Sequence, residues 1–456
     1  MQGISRQTIR RRWRALDLLG GGNQALLRGA GLAFILQVVG AGLAFLLQVL
    51  FGRWLGASGY GAYAFTIAWA GLLGVAVGLG FPTTTLRFIP AYSSSEEWAR
   101  LHGMLRVSLW LTVAVGAGVA VLGAVVAVAV GTLGSGVSSE VLLGLTLVPL
   151  LALMRLQQEA IRASRRIGLA YAPALVLRPL LIIAGGALLA ASNVALDSTA
   201  ALAITAASIA ILLVVQVIVF WRGLHPAVRA AKPAYETRAW IRVALPLLLI
   251  AGFSIVLTQT DIVMVGAFLG SHQAGLYAAA SKTASLVSLV LIAVTAIAAP
   301  MISSLVAQDR HDELQELVAT VAQWIFWPSL AIAVFLGILA EPVLGLFGPS
   351  FRDANWYLVV LLLGQLVNAV AGSVGYLMIL SGHQRQAAWV YGWVAIAHVG
   401  FNVVGILLAG TIGAAIATAA SFALWNVWLY VLVVKRLDIH SGAFWPLFAR
   451  LRSGRA

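Results

Sequence analysis

The chain has no cysteine and only three lysines in 456 residues. Without cysteine there is no disulfide framework, no thiolate metal site and no thiol nucleophile. None of the three lysines follows a G-x-x-x-x-G-K-[ST] loop, which excludes ATP hydrolysis by this chain itself. No H-E-x-x-H occurs either, and no cofactor or metal motif is present. Charged residues make up 10% of the chain, against about 25% in a soluble domain. What remains is apolar: 61% of the residues are hydrophobic, and mean hydropathy is +0.97. Over this length such a balance means many membrane spans rather than one large core.

Twelve apolar runs have the length of a membrane helix, roughly 20 residues. They cover 29–51, 60–82, 107–130, 141–160, 169–191, 200–220, 243–266, 276–299, 322–340, 356–380, 389–408 and 413–434. The first follows a basic segment but is too long for a signal-peptide core. Orientation follows from arginine and lysine in the short loops. With the N-terminus inside, 25 basic residues fall in inner segments, and two, Arg53 and Arg352, fall outside. The remaining two, Arg178 and Lys282, lie within spans. This split predicts cytoplasmic termini. It also accounts for the net charge of +14 as a topology signal and a contact for anionic lipids, with no need of nucleic acid.

The expected organisation is an all-α polytopic membrane protein of about 12 transmembrane helices in two six-helix lobes. A basic N-terminus (1–28) leads into the first lobe (29–220). A polar, proline-containing inter-lobe linker (221–242) follows, then the second lobe (243–434) and a basic tail (435–456). Two hairpins support a parallel repeat. At an offset of 214, Gly52, Leu55, Gly56, Gly61 and Tyr63 fall on Gly266, Leu269, Gly270, Gly275 and Tyr277. Pro82 and Pro300 are expected to end the second and eighth spans. Such repeats are typical of transporters.

The segments at 51–92 and 245–286, and the Pro300 segment running into DELQEL, resemble the multidrug/oligosaccharidyl-lipid/polysaccharide exporter superfamily. Within it the chain is similar to the flippases of polysaccharide biosynthesis. The resemblance covers nearly the whole chain, and order, spacing and topology carry it rather than any one motif. It implies a central cleft between the lobes, alternating access and a cargo of oligosaccharide on a polyprenyl pyrophosphate. It implies a bacterial inner membrane, and other glycan-assembly membrane proteins as partners. Twelve spans rather than fourteen favour the O-antigen or exopolysaccharide branch over the lipid II branch.

Charges within spans are costly and are candidates for function. Arg178, near the middle of the fifth span, is a candidate guanidinium for pyrophosphate, whose oxygens match its planar donor fork. The structural alternative has it satisfied by the carbonyl that Pro179 frees. Asp261 and Lys282 flank the second hairpin at similar depth. They read either as a structural ion pair or as a proton or sodium site (Asp261) beside a cargo contact (Lys282). Arg53 and Arg87 are candidates at the cleft mouths, or interface anchors. Arg155, Arg162, Arg165 and Arg166 read as topology determinants. Gln37, Gln48, Gln259, Gln365, Asn368, His398 and Asn402 are polar positions inside spans, with His398 a candidate proton carrier. Competing functions are a multidrug antiporter, whose cationic cargo calls for acidic cleft residues, a glycan polymerase or ligase, which the short outer loops disfavour, and a non-transporting scaffold.

Overall fold

The computed structural model describes residues 23–131, 138–192 and 196–445. Among these every element is a helix, and none is a strand. The main helices are α1 (Asn23–Val77), α2 (Phe81–Ser94), α3 (Trp98–Gly131), α4 (Ser139–Ala163), α5 (Ile167–Ala191) and α6 (Ser198–Arg222). The second half of the chain forms α7 (Thr237–Ala284), α8 (Ser288–Ala307), α9 (His311–Ile338), α10 (Asn355–Ala371), α11 (Val374–Leu380) and α12 (Gln384–Leu437). Among the described residues nine continuous helical stretches are long and apolar enough to cross a bilayer. Three contain two spans each, because α1, α7 and α12 break at Gly56, Gly270 and Gly410. The protein is a polytopic all-α membrane protein.

Each break is a single residue. Gly56 has φ 67° and ψ 179°, and Gly270 has φ 85° and ψ 174°. This backbone region is open only to glycine, because a Cβ would clash. The chain reverses there. Gln48 and Tyr60 would be about 18 Å apart along a straight helix, yet their side chains hydrogen-bond at 2.8 Å. Asp261 and Tyr277 meet likewise at 2.7 Å across Gly270. Around Gly410, Gly405 and Gly413 face each other backbone to backbone. The two repeated hairpins read from the sequence turn at Gly56 and Gly270, in turns shorter than the gaps between the apolar runs, and the break at Gly410 makes a third.

The two repeated hairpins face each other. A Cβ on Gly61 would lie 1.7 Å from the Ser271 carbonyl oxygen, and one on Gly275 would lie 2.1 Å from that of Ala57. Ala57 and Ser271 are themselves 214 residues apart, so the contact has a pseudo-two-fold axis. One joint apolar core surrounds it, with Tyr60 and Phe51 from the first half and Tyr277, Phe347 and Phe351 from the second. At the opposite, basic end the halves have separate cores. One centres on Phe81, Met104 and Trp240, and the other on Ile302, Leu377 and Val433. The halves therefore share one core at the hairpin end and keep separate cores towards the basic end, where Gly80 still admits the Ala244 carbonyl of the other half.

Two sequence expectations change. Pro82 does not end a span: the helix stops at Val77, and Pro82 stands in the first turn of α2, where its missing N–H costs nothing. Pro300 lies inside α8. The linker is also not a free tether. Ala234 N–H donates to Ala99 O at 2.9 Å, Trp240 Nε1 donates to the Tyr92 hydroxyl at 3.0 Å, and Arg100 pairs with Glu236 at 3.0 Å. Gly103 admits the Ala234 carbonyl where any Cβ would block it. The linker thus packs on the first half.

Candidate functional site

A cavity of about 520 Å³ lies between the halves on the basic side of the hairpin contact. Four helix faces wall it, together with the start of α2 at Gly80, Pro82 and Thr83. α1 supplies Ile67, Gly71, Gly74 and Val75; α7 supplies Leu248, Ala251, Ile255 and Gln259. α4 supplies Arg155, Gln158 and Glu159, and α5 supplies Ala174, Leu175 and Arg178. Glycine on the α1 face leaves room that larger side chains would fill.

Arg178 is placed by an irregular turn. Residues Pro173–Leu177 form one π-helical turn, after which α5 resumes at Arg178. Pro179 has no N–H, and the wider turn absorbs the lost α-helical hydrogen bond. Gly40 lets α1 approach this turn, since a Cβ there would lie 2.9 Å from the Leu175 carbonyl oxygen. Arg178 is half-buried, and among the described residues it has no hydrogen-bond or ion-pair partner. Its electrostatic neighbours are the Tyr63 hydroxyl and a second guanidinium, Arg155. Two like charges held close in a partly desolvated cavity are unfavourable unless an anion joins them. Glu159 moderates this only in part, because it stands 2.9 Å from Arg162 Nη2.

The other residues singled out in the sequence fall elsewhere. Arg53 does not line the cavity. It lies exposed at the hairpin end, where Nε donates to the Leu346 carbonyl at 2.6 Å and ties the two halves together. Arg87 is also outside the cavity, exposed on α2 with its guanidinium 5.6 Å from the Phe88 ring centre. Lys282 is half-buried on α7 and does not line the cavity.

Asp261 and Lys282 do not form the contact ion pair that their depth suggests; no such pair within 4.0 Å occurs among the described residues. The reason is that the carboxylate has other donors. Asp261 Oδ1 accepts from the Ile262 N–H at 2.9 Å, and Oδ2 accepts from the Tyr277 hydroxyl at 2.7 Å and from Thr418 at 3.4 Å. Lys282 still feels the carboxylate through space.

The Asp261 cluster has a counterpart in the first half. The Tyr277 hydroxyl meets Thr418 at 3.1 Å, and Tyr63, its partner at offset 214, meets Thr205 at 3.4 Å. The position matching Asp261 is Leu47. The same tyrosine–threonine contact is therefore paired with a cation, Arg178, in the first half and with an anion, Asp261, in the second.

Sequence reasoning passed over Arg155 and Glu159 as cavity residues because Arg155 sits near a span end among other arginines. The available signal was spacing: Arg155, Gln158 and Glu159 share one helical face. No group of three or more histidine, aspartate or glutamate side chains suited to a metal occurs among the described residues.

Solved structures with this fold include an inward-facing multidrug resistance MATE family transporter of the MOP superfamily, at TM-score 0.71 and 15% identity over 87% of this chain and 94% of that one. The lipid II flippase MurJ, in an inward closed conformation, matches at TM-score 0.66 and 16% identity over 90% of each chain. A MOP superfamily transporter from Pyrococcus furiosus, described as having a binding pocket of reverse polarity, matches at 0.63 and 13% over 90% of this chain and 95% of that one. Over 168 residues the sequence is 27% identical to the probable low-salt glycan biosynthesis flippase Agl15 of Haloferax volcanii. That alignment spans 36% of this chain and 35% of the relative, about a third of the relative's length. These relatives are flippases and transporters rather than enzymes. Residues 26–306, more than half of the chain, match the family described as "Polysaccharide biosynthesis protein", and the chain belongs to that family.

Proposed function

We propose that the protein is a flippase that carries a polyprenyl-pyrophosphate-linked oligosaccharide from the cytoplasmic to the outer leaflet of a bacterial inner membrane. One observation carries this reading: Arg178 and Arg155 line a single cavity between the halves, and Arg178 has no counter-charge of its own. A pyrophosphate supplies the missing anion, and its oxygens fit guanidinium forks. The sugar needs a polar path through a bilayer core about 30 Å thick, while the polyprenyl tail stays in the lipid. The glycan flippase named among the relatives and the polysaccharide biosynthesis family support a glycan cargo.

The moving units in this proposal are the lobes 29–220 and 243–434, joined by 221–242. The basic tails at 1–28 and 435–456 face the cytoplasm. The cavity then opens inward, and the paired hairpins seal the outside. An ion gradient of H+ or Na+ drives the cycle, with Asp261 on α7 two residues beyond the cavity residue Gln259.

Transbilayer movement of a fluorescent polyprenyl-pyrophosphate oligosaccharide in proteoliposomes tests the reading, with and without proton and sodium gradients. Movement is expected in wild type and absent from protein-free vesicles. No movement by folded protein under any gradient, with export of organic cations instead, identifies a multidrug antiporter.

Asp261 and Lys282 give a separate expectation. The double exchange Asp261→Lys with Lys282→Asp should stay inactive, because Tyr277 and Thr418 are donors arranged for a carboxylate at position 261. Recovery of transport in the exchange would instead show that the two act as a simple ion pair.

A further inference from the structure

We infer that residues 438–445, the segment after α12, form a strap that holds α9 against the break between α10 and α11, and that this break is a hinge which the strap keeps shut.

The break is a single point. α10 ends at Ala371, Gly372 has φ 72° and ψ −143°, and α11 starts at Val374. Counted back from Leu380 at 1.5 Å per residue, it lies about 12 Å along the span from the basic end. The last four carbonyls of α10 have no partner within the helix, and lipid offers them no donor. The C-terminal segment brings one: the Ala443 N–H donates to the Val370 carbonyl at 3.1 Å. Gly372 makes room for the approach. A Cβ there would lie 3.2 Å from the Ser441 carbonyl oxygen and 3.1 Å from Ala322 Cβ on α9, at a positive φ that favours glycine. On the far side of the break α11 has seven residues, and Ser373 at its N-cap gives it no side-chain bond. The short helix therefore has little of its own to fix its angle to α10.

α9 grips the strap at its start. Gln315 Nε2 donates to the His440 carbonyl at 2.9 Å, and the His440 N–H donates to Gln315 Oε1 at 2.7 Å. One side-chain amide thus takes both backbone groups of one residue, as a neighbouring strand would. Ile439 and Ser441, on either side, are buried. Further along, the Phe444 ring meets Phe326 of α9 with centres 5.0 Å apart, and Ala443 closes a small core with Ala322 and Phe326. Gln315, Ala322 and Phe326 lie on one helical face. Every one of these contacts is within the second half.

The first half is fastened in the same way. His102 is the fifth residue of α3 and Gln315 the fifth of α9, 213 positions apart. His102 Nδ1 lies 2.9 Å from the carbonyl of Ala231, in the linker that follows α6. Linker and tail are thus repeat counterparts, and each half is tied by the chain that leaves it. The halves differ beneath the tie. α4, the repeat counterpart of α10 and α11, runs unbroken from Ser139 to Ala163. A hinge under the strap is therefore a property of the second half alone.

A single cysteine tests this, because the chain has none of its own. Ser441 is suited to it: the residue is 0% exposed, and its hydroxyl has no hydrogen bond to lose among the described residues. In nanodiscs Ser441→Cys should react slowly with a maleimide. Adding Gln315→Leu keeps the side chain's size and removes both bonds to His440. Labelling should then be roughly 5- to 150-fold faster, the range for two neutral hydrogen bonds. Hydrogen exchange reads the hinge: in Gln315→Leu the amides of 373–380 should exchange faster, and those of α10 before the break should not. Ala443→Pro removes the N–H that meets Val370 and should have the same two effects; if it does not fold, Gln315→Leu carries the test. Unchanged labelling overturns the strap. Faster labelling with unchanged exchange over 373–380 overturns the hinge. Neither readout uses a cargo, so the outcome is separate from that of the flippase assay.

Discussion

Arg178→Ala is expected to abolish cargo movement in proteoliposomes while leaving insertion and folding intact. The side chain has no protein partner among the described residues, so its loss leaves no buried group orphaned. On the proposed function, what is lost is one side of a guanidinium–pyrophosphate contact. Removing one partner of such a pair costs about 2–5 kcal/mol, or roughly 30- to 4,000-fold in affinity. Arg178→Lys keeps the charge but not the fork, and should recover transport only in part. Binding of a polyprenyl pyrophosphate to purified variants provides the direct measurement. Unchanged binding by Arg178→Ala places the anion site elsewhere in the cavity.

Gly61→Val is expected to prevent closure at the hairpin end. Even alanine puts Cβ 1.7 Å from the Ser271 carbonyl oxygen, and backbone cannot yield as a flexible side chain can. The two hairpins must part by more than an ångström, opening the joint core around Tyr60 and Phe347. Overpacking of this kind costs about 1–3 kcal/mol, a shift of roughly 5- to 150-fold from hairpin-closed to hairpin-open forms. Gly275→Val should act in the same way, because Gly275 faces the Ala57 carbonyl across the same pseudo-axis. The absence of native cysteine makes the measurement clean. A single cysteine at Ala64, 8% exposed, should resist an impermeant maleimide in the otherwise native chain and react in the valine variants. Equal protection in both shows that the glycines are not the seal.

These two expectations mark different levels of legibility. The hairpin glycines were visible in the sequence as a repeat, and the reason for them was not. Gly56 and Gly270 are needed for their own positive φ, a local requirement. Gly61 and Gly275 are helical and have no local need to be glycine. Each is there because the other hairpin's backbone stands against it. Arg178 was legible because a charge in an apolar run is rare. The silence around it, with no acidic partner and Arg155 nearby, was not legible, because the neighbours come from α1 and α4.

The Asp261–Lys282 pair shows the opposite error. Equal depth across a hairpin made an ion pair reasonable, but depth says nothing of the angle around a helix axis. Tyr277 and Thr418 took the carboxylate instead. His398 looked like one histidine among apolar residues. The structure buries it completely beside Ser421 and Asn402, and its partner on the other arm of α12, Ser421, was not visible in the sequence.

By itself the sequence determined the class of the protein, the number of spans, the repeat and the asymmetry of basic loops. These follow from hydrophobicity, helix length and charge, which act within a segment or between a segment and the lipid. Only the tertiary structure decided that the hairpins close on each other, that Arg155 joins Arg178 in one cavity, and that Asp261 binds hydroxyls rather than an amine. Each of those depends on which helix faces stand opposite one another, and that is settled by packing between separate helices, where small residues permit contact and larger ones forbid it.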